Sequence, residues 1–399
     1  MSSTDNSRDP VIVAATRTAS GRGKPGGGLS DVHPVDMLAQ VFTHLLASTS
    51  VDPAAVDDVL VGCVSQVGEQ AGTPGRMAWL GAGFPHSVPA TTIDRKCGSS
   101  QQAVHFAAQG IKSGDYDIVV AAGVESMSRV RMGSAKGDAD PFGSLVASRY
   151  APGLVSQGVA AELVAAKWKL GREELDIYSA ESHRRAAAAQ DSGLFDREIV
   201  PVHTERGVFL RDETIRPNTT ADTLSVLQPA FASDDSRARF PQLEFAVTAG
   251  NSSQITDGAS GLLMMSRAAC DALGLTARAR IHTTAVRGDD PVLMLTAILP
   301  ATEMVLSRSG LSMRDIDHVE VNEAFASVPL SWMAEYPIDP AKVNPRGGAI
   351  ALGHPLGASG TRIATTMLHA LEDCDQQFGL QLMCEAGGMA NAMIVERVS

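Results

Sequence analysis

The apolar positions of the chain fall into two kinds of run. VIVAATR (11–17), VDDVLVGCV (56–64) and DIVVAAG (117–123) are nearly continuous, as strands covered on both faces are. DMLAQVFTHLLAS (36–48) and CGSSQQAVHFAAQGIKSG (97–114) read as helices between them. Strand and helix alternate, which predicts an α/β layer architecture with sites at the carboxyl ends of strands. GRGKPGGG (21–28) contains the glycine spacing of a dinucleotide loop. Pro25 and three successive glycines prevent the helix that such a loop must open, so it reads as a mobile glycine loop.

The pattern occurs twice. LASTSVDPAAVDDVLVGC (46–63) and LSRSGLSMRDIDHVEVNE (306–323) each read as helix end, turn and strand, and Leu306, Asp317 and Val319 stand 260 positions after Leu46, Asp57 and Val59. The same offset places Ser99 of CGSS on Ser359 of GASG. Order and register kept over about 60 residues argue for duplication rather than chance. Met127 to about Thr248 has no counterpart after the second copy, so it reads as an insertion above the sheet edge, with helices in GVAAELVAAKWKLG and EELDIYSAESHRRAAAAQDSG. The expected division is residues 1–126 plus 249–270 as the first half, 127–248 as the insertion, and 271–399 as the second half.

The net charge is −12, which argues against nucleic acid and anionic membrane partners; an anionic ligand would need a local Arg or Lys. No apolar run approaches a membrane span, and the polar start lacks a signal core, so a cytoplasmic protein is expected. Five widely spaced cysteines, with no C-x-x-C and no H-E-x-x-H, argue against a disulfide framework and a zinc site.

Four local signals then stand out. KCGSS puts Cys97 at a strand-to-helix turn, where helix-start N–H groups would favour a thiolate. VNEAF ends a buried strand with Asn322 and Glu323, GGAIALGHPLGASG carries His354, and LMCEAGG carries Cys384 at the end of the last core strand, before a turn. Alone, each has an ordinary reading: core thiol, turn cap, surface histidine, turn glycine. Pseudo-twofold duplication brings corresponding strand ends together, which makes four such groups one constellation.

Taken in order, Cys-Gly-Ser-Ser, Asn-Glu-Ala-Phe, Gly-His-Pro-Leu-Gly-Ala-Ser-Gly and the final Cys-x-x-Gly-Gly resemble the thiolase family over nearly the whole chain. The resemblance implies two βαβαβαββ-type halves in a five-layered α-β-α-β-α core with an inserted loop domain. It implies thiolytic cleavage of 3-oxoacyl-CoA by coenzyme A, in fatty-acid or related acyl-chain β-oxidation. His354 would take a proton from Cys97, Cys97 would carry the acyl group, and Cys384 would act as acid and base. One oxyanion hole would use His354 with a water held by Asn322; the other would use the backbone N–H groups of Cys97 and Ala386. The family usually has glycine at the position of Ala386, which puts the turn geometry in question.

The resemblance also implies contacts for coenzyme A, which is substrate rather than bound cofactor. They are Ser253 in TAGNSSQITDGAS, Arg216 and Phe231 in TIRPNTTADTLSVLQPAF, and Ala324 and Phe325 in the tunnel. Biosynthetic members carry histidine where Ser156 stands and Met-Gly-Thr-Gly-Pro where this chain has Met294 to Ile298. Both departures favour a degradative enzyme over acetoacetyl-CoA synthesis and mark Met294 as a candidate acyl contact. A non-catalytic acyl-CoA-binding subunit is the rival from another class. A homodimer or homotetramer is implied, with a β-oxidation hydratase or dehydrogenase as a further partner.

Overall fold

The computed structural model describes residues 6–398. Met1–Asp5, half of the polar start discussed above, and Ser399 at the other end lie outside them. The first half contains β1 (Pro10–Thr18), α1 (Pro34–Ala47), β2 (Asp58–Gly62), α2 (Pro74–Gly81), β3 (Ala90–Ile93), α3 (Ser99–Ser113) and β4 (Ile118–Ser126). The segment that follows carries α4 (Gln157–Lys167) and α5 (Arg172–Asp191), and the chain returns along β5 (Thr256–Ser266). The second half contains β6 (Ala279–Gly288), α6 (Ile298–Ser309), β7 (His318–Val321), α7 (Ser327–Glu335), a short helix Ala349–Leu352, α8 (Ser359–Asp373), β8 (Phe378–Glu385) and β9 (Met389–Arg397). No helix opens in the glycine loop; Gly21 and Arg22 pair with Asp257 and Thr256 instead.

The strands run in the order β7-β8-β9-β6-β1-β5-β4-β2-β3, so each half repeats the other outward from the centre. The halves join where β1 meets β6 antiparallel at Val11 and Ile12. Both central strands carry a register shift at the same place, after Ile12 and after Ile281. Asp57 accepts from the N–H groups of Asp117 and Ile118, and 260 residues later Asp317 accepts from Gln377 and Phe378. The second half departs in one place: opposite β3 it supplies only Val343, bridged to Val319.

Strand alternation produces the layers. Val59 and Val61 face Leu38, Phe42 and Trp79 of the outer helices α1 and α2. Leu60 faces inward, where Val104, Ala107 and Ile111 of α3 pack with Met367, Leu368 and Leu371 of α8. On the far side Val319, Leu382 and Ile394 meet Val305 of α6, Trp332 of α7 and Val164 of α4. Each such buried side chain contributes roughly 1.5–3 kcal/mol. The result is the α-β-α-β-α stacking, with α4 lying on α7 and α5 on the short helix before His354.

Candidate active site

The chain leaves β3 through Asp94, Arg95 and Lys96 before Cys97. Lys96 sits at φ +49°, in the left-handed region, which costs about 1–2 kcal/mol for a residue with a Cβ. Ser99 holds the turn: its hydroxyl accepts from Arg95 N (2.9 Å) and donates to Lys96 O (2.6 Å). Cys97 is buried in a small apolar cluster with Met127, Leu356, Ile363 and Met383. Burial pushes its thiol up to about 12, opposed by Gln157 and by the backbone N–H groups of Cys97 and Ala386. Gln157 Nε2 lies 3.9 Å from the sulfur. The N–H groups act in the thiolate's favour, but in the free protein desolvation outweighs them.

His354 follows the short helix Ala349–Leu352 rather than a strand, in contrast to the strand-end placement expected for it. Its N–H is shared between Gln254 O and Thr256 Oγ1, each at 3.1 Å. Nδ1 is 2.6 Å from the Ser359 hydroxyl, which donates its own proton to Pro355 O at 2.9 Å. Nδ1 must therefore be the protonated nitrogen, and Nε2 keeps a lone pair. Nε2 is buried without a protein partner. Burial, then Arg362, pulls the imidazole down to about 3, so it is neutral at neutral pH. Ser359 was visible in sequence only as the twin of Ser99; both hydroxyls donate back to a carbonyl of the preceding turn, but Ser99 accepts from a backbone N–H where Ser359 meets the His354 ring.

Asn322 follows directly after β7, its N–H donating to Leu382 O at 3.0 Å, and both atoms of its buried amide lack protein partners. Glu323 explains why a carboxylate follows. It accepts from Tyr178 (2.9 Å), Ser182 (2.7 Å), Asn344 (3.0 Å) and Ile350 N (3.0 Å), tying α5 to the segment that carries His354. Cys384 is fully buried in β8, which is not the last core strand as expected, because the chain turns back into β9 beside it; desolvation and the neighbouring Cys97 sulfur push its thiol well above the ordinary range. Positive φ in the turn after β8 falls at Gly387 and Gly388, not at Ala386, so alanine there strains nothing.

Phe231, Ser253, Ala324, Phe325 and His354 line one cavity of about 160 Å³, joined by Met127, Met132, Gln157 and Ile255. The rings of Phe231 and Phe325 meet edge to face at 5.9 Å. Arg216 is exposed at the rim, donating to Gln254 Oε1 at 3.2 Å. Met294 is not among the lining residues; it is buried at φ +52° in the outer apolar layer of the second half. Ser156 caps α4 through Val159 N, and the side chain that reaches Cys97 is its neighbour Gln157, which sequence reasoning passed over. Among the described residues no cluster of His, Cys, Asp and Glu could hold a metal ion, and no helix is long and apolar enough to cross a membrane.

The family model for the thiolase N-terminal domain matches residues 10–268, and that for the thiolase C-terminal domain matches residues 275–397. A steroid 3-ketoacyl-CoA thiolase, FadA6, of Mycobacterium tuberculosis is 47% identical over 398 residues, covering 98% of this chain and 94% of that protein. The 3-ketoacyl-CoA thiolases of Saccharophagus degradans and Serratia proteamaculans are 44% and 43% identical, covering 98% and 97% of this chain and 99% of each relative. With both halves matched and the resemblance spanning nearly every residue, the chain belongs to the thiolase family.

Proposed function

We propose that the chain cleaves 3-oxoacyl-CoA with coenzyme A, yielding acetyl-CoA and an acyl-CoA shortened by two carbons. The observation that supports this best is His354 Nε2, an unshared base buried at a cavity whose lining residues Met127, Leu356 and Gln157 also meet Cys97. In the free protein Cys97 is a thiol and His354 a neutral imidazole, so the proton moves only when substrate displaces the balance. His354 Nε2 takes the Cys97 proton, and sulfur attacks the 3-keto carbon. The N–H groups of Cys97 and Ala386, which now face the sulfur, receive the developing oxyanion. The C2–C3 bond breaks, and Cys384 gives its proton to the departing C2 of acetyl-CoA, whose enolate oxygen is met by protonated Nε2 and by Asn322 through water. Cys384 thiolate then deprotonates coenzyme A, which attacks the acyl–Cys97 thioester. Cys97 leaves as thiolate and recovers its proton from His354, closing the cycle.

Coenzyme A would enter past Arg216 and Ser253, with pantetheine between Phe231 and Phe325. The degradative direction agrees with relatives named for 3-ketoacyl-CoA and with the absence of the biosynthetic histidine at Ser156. Met132 and Ile255, both exposed at the cavity, favour a bulky apolar acyl group. The half-exposed edge strand β3 is the surface expected to support a homodimer. The deciding assay follows loss of Mg²⁺-enolate absorbance from 3-oxoacyl-CoA on adding coenzyme A, across chain lengths and a steroid-side-chain substrate. Turnover on the bulky substrates is expected; no loss with any substrate would remove the assignment.

A further inference from the structure

Glu125 and Glu385 stand 260 positions apart, at the same end of β4 and β8. Both are fully buried. Glu125 accepts four hydrogen bonds, from Val64 N (2.9 Å), Ser65 N (3.0 Å), Gln70 Nε2 (2.9 Å) and Gly357 N (2.8 Å). Neither oxygen of Glu385 has a partner. One substitution between the halves accounts for part of the difference. Gly357, which serves Glu125, corresponds to Cys97, whose N–H faces its own sulfur. The Glu385 carboxyl instead lies close against Gly98 in the turn after Cys97: a Cβ on Gly98 would sit 1.8 Å from Oε1. Asn391 holds the same turn through Gly98 O at 3.3 Å. The titratable groups acting on this carboxyl, or acted on by it, are Arg95 on the turn and the thiols of Cys97 and Cys384. A buried carboxylate without donors is costly, and burial pushes Glu385 up to about 8 with Arg95 opposing.

We propose that Glu385 is a positioning residue for the nucleophile: as a neutral acid it packs against Gly98 and holds the Cys97 turn, and on releasing its proton to solvent it opposes thiolate formation at Cys97 and Cys384. This rests on reading Cys97 as the nucleophile. The test compares wild type with Glu385→Gln by iodoacetamide alkylation of Cys97, read by peptide mass spectrometry, and by thiolysis, both from roughly pH 6 to 10. Wild-type alkylation should rise in a shallow, two-step curve, and its kcat/KM should fall on the alkaline side. Glu385→Gln should give a single steeper rise, roughly five- to tenfold faster at the alkaline end, and lose that fall. Should the amide fold poorly, Glu385→Ala removes the same charge and carries the same readout. A wild-type curve with one titration overturns the proposal without any variant, and so does a variant curve that superimposes on wild type or is slowed equally at every pH. Thiolysis absent in wild type, with the Glu385-dependent alkylation curve intact, would remove the functional reading and leave this one standing.

Discussion

Two sulfurs share one desolvated site, and their separate tasks can be told apart. Cys97→Ala should abolish thiolysis, by more than about a thousandfold, because no other group at the turn can form the thioester. Intact-mass measurement after incubation with acetyl-CoA should show one acetyl adduct in wild type and none in the variant. Cys384→Ser should still acquire that adduct yet stop exchange of the acetyl Cα protons with deuterated water, since serine is too weak an acid and base there. Exchange at the wild-type rate would reassign Cys384. Cys97, Asn322, His354 and Cys384 were legible because each broke a local pattern: a thiol at a helix start, an amide ending an apolar strand. Gln157 and Glu385 were not. A glutamine opening a helix and a glutamate before a turn are ordinary in sequence, and only their placement beside Cys97 and Gly98 makes either one informative.

Between elements, the two inner helices meet start to start. Ser100 Oγ accepts from Thr361 N at 3.1 Å, and Gln381 Nε2 donates to Gly360 O at 2.8 Å and Gln101 Oε1 at 3.1 Å. Such closeness requires small residues in the strands beneath. A Cβ on Gly123 would lie 2.2 Å from Gly357 O and 2.7 Å from Ala358 Cα, both backbone of the other half. Gly123→Ala should therefore lose about 2–4 kcal/mol or fail to fold. Gly261 on the neighbouring strand is the control, since its Cβ would meet Ala122 Cβ at 3.4 Å, an ordinary contact. Urea unfolding should separate the two variants clearly; equal midpoints would deny that the halves touch here. The duplication itself was readable from a constant offset. The lost third strand of the second half and the placement of His354 after a helix were not, because both depend on what the inserted segment covers.

For the molecule as a whole, buried groups held in the wrong charge state for water set how stability follows pH. His105 is buried with both ring nitrogens unpartnered, and burial, then Arg95, pulls it down to about 3. In the unfolded chain it titrates near 6.5, so between the two values the unfolded state binds the extra proton. Its contribution is present above about pH 6.5 and is lost as pH falls. Glu385 behaves oppositely. Its folded value of about 8 exceeds the unfolded one of about 4.3, so the folded state holds the extra proton, and stability is lost as pH rises towards 8. Each slope approaches about 1.4 kcal/mol per pH unit inside its window. Comparing a variant with wild type cancels every other titration. The unfolding free energy of His105→Gln minus that of wild type should climb as pH drops below about 6.5, whereas that of Glu385→Gln should climb as pH rises from about 4.5 to 8. Urea titrations at a series of pH values give both differences directly. Two flat differences would mean that the ring and the carboxyl keep the proton affinities they have in water, and that neither is shielded from solvent as the packing around α3 and β8 requires.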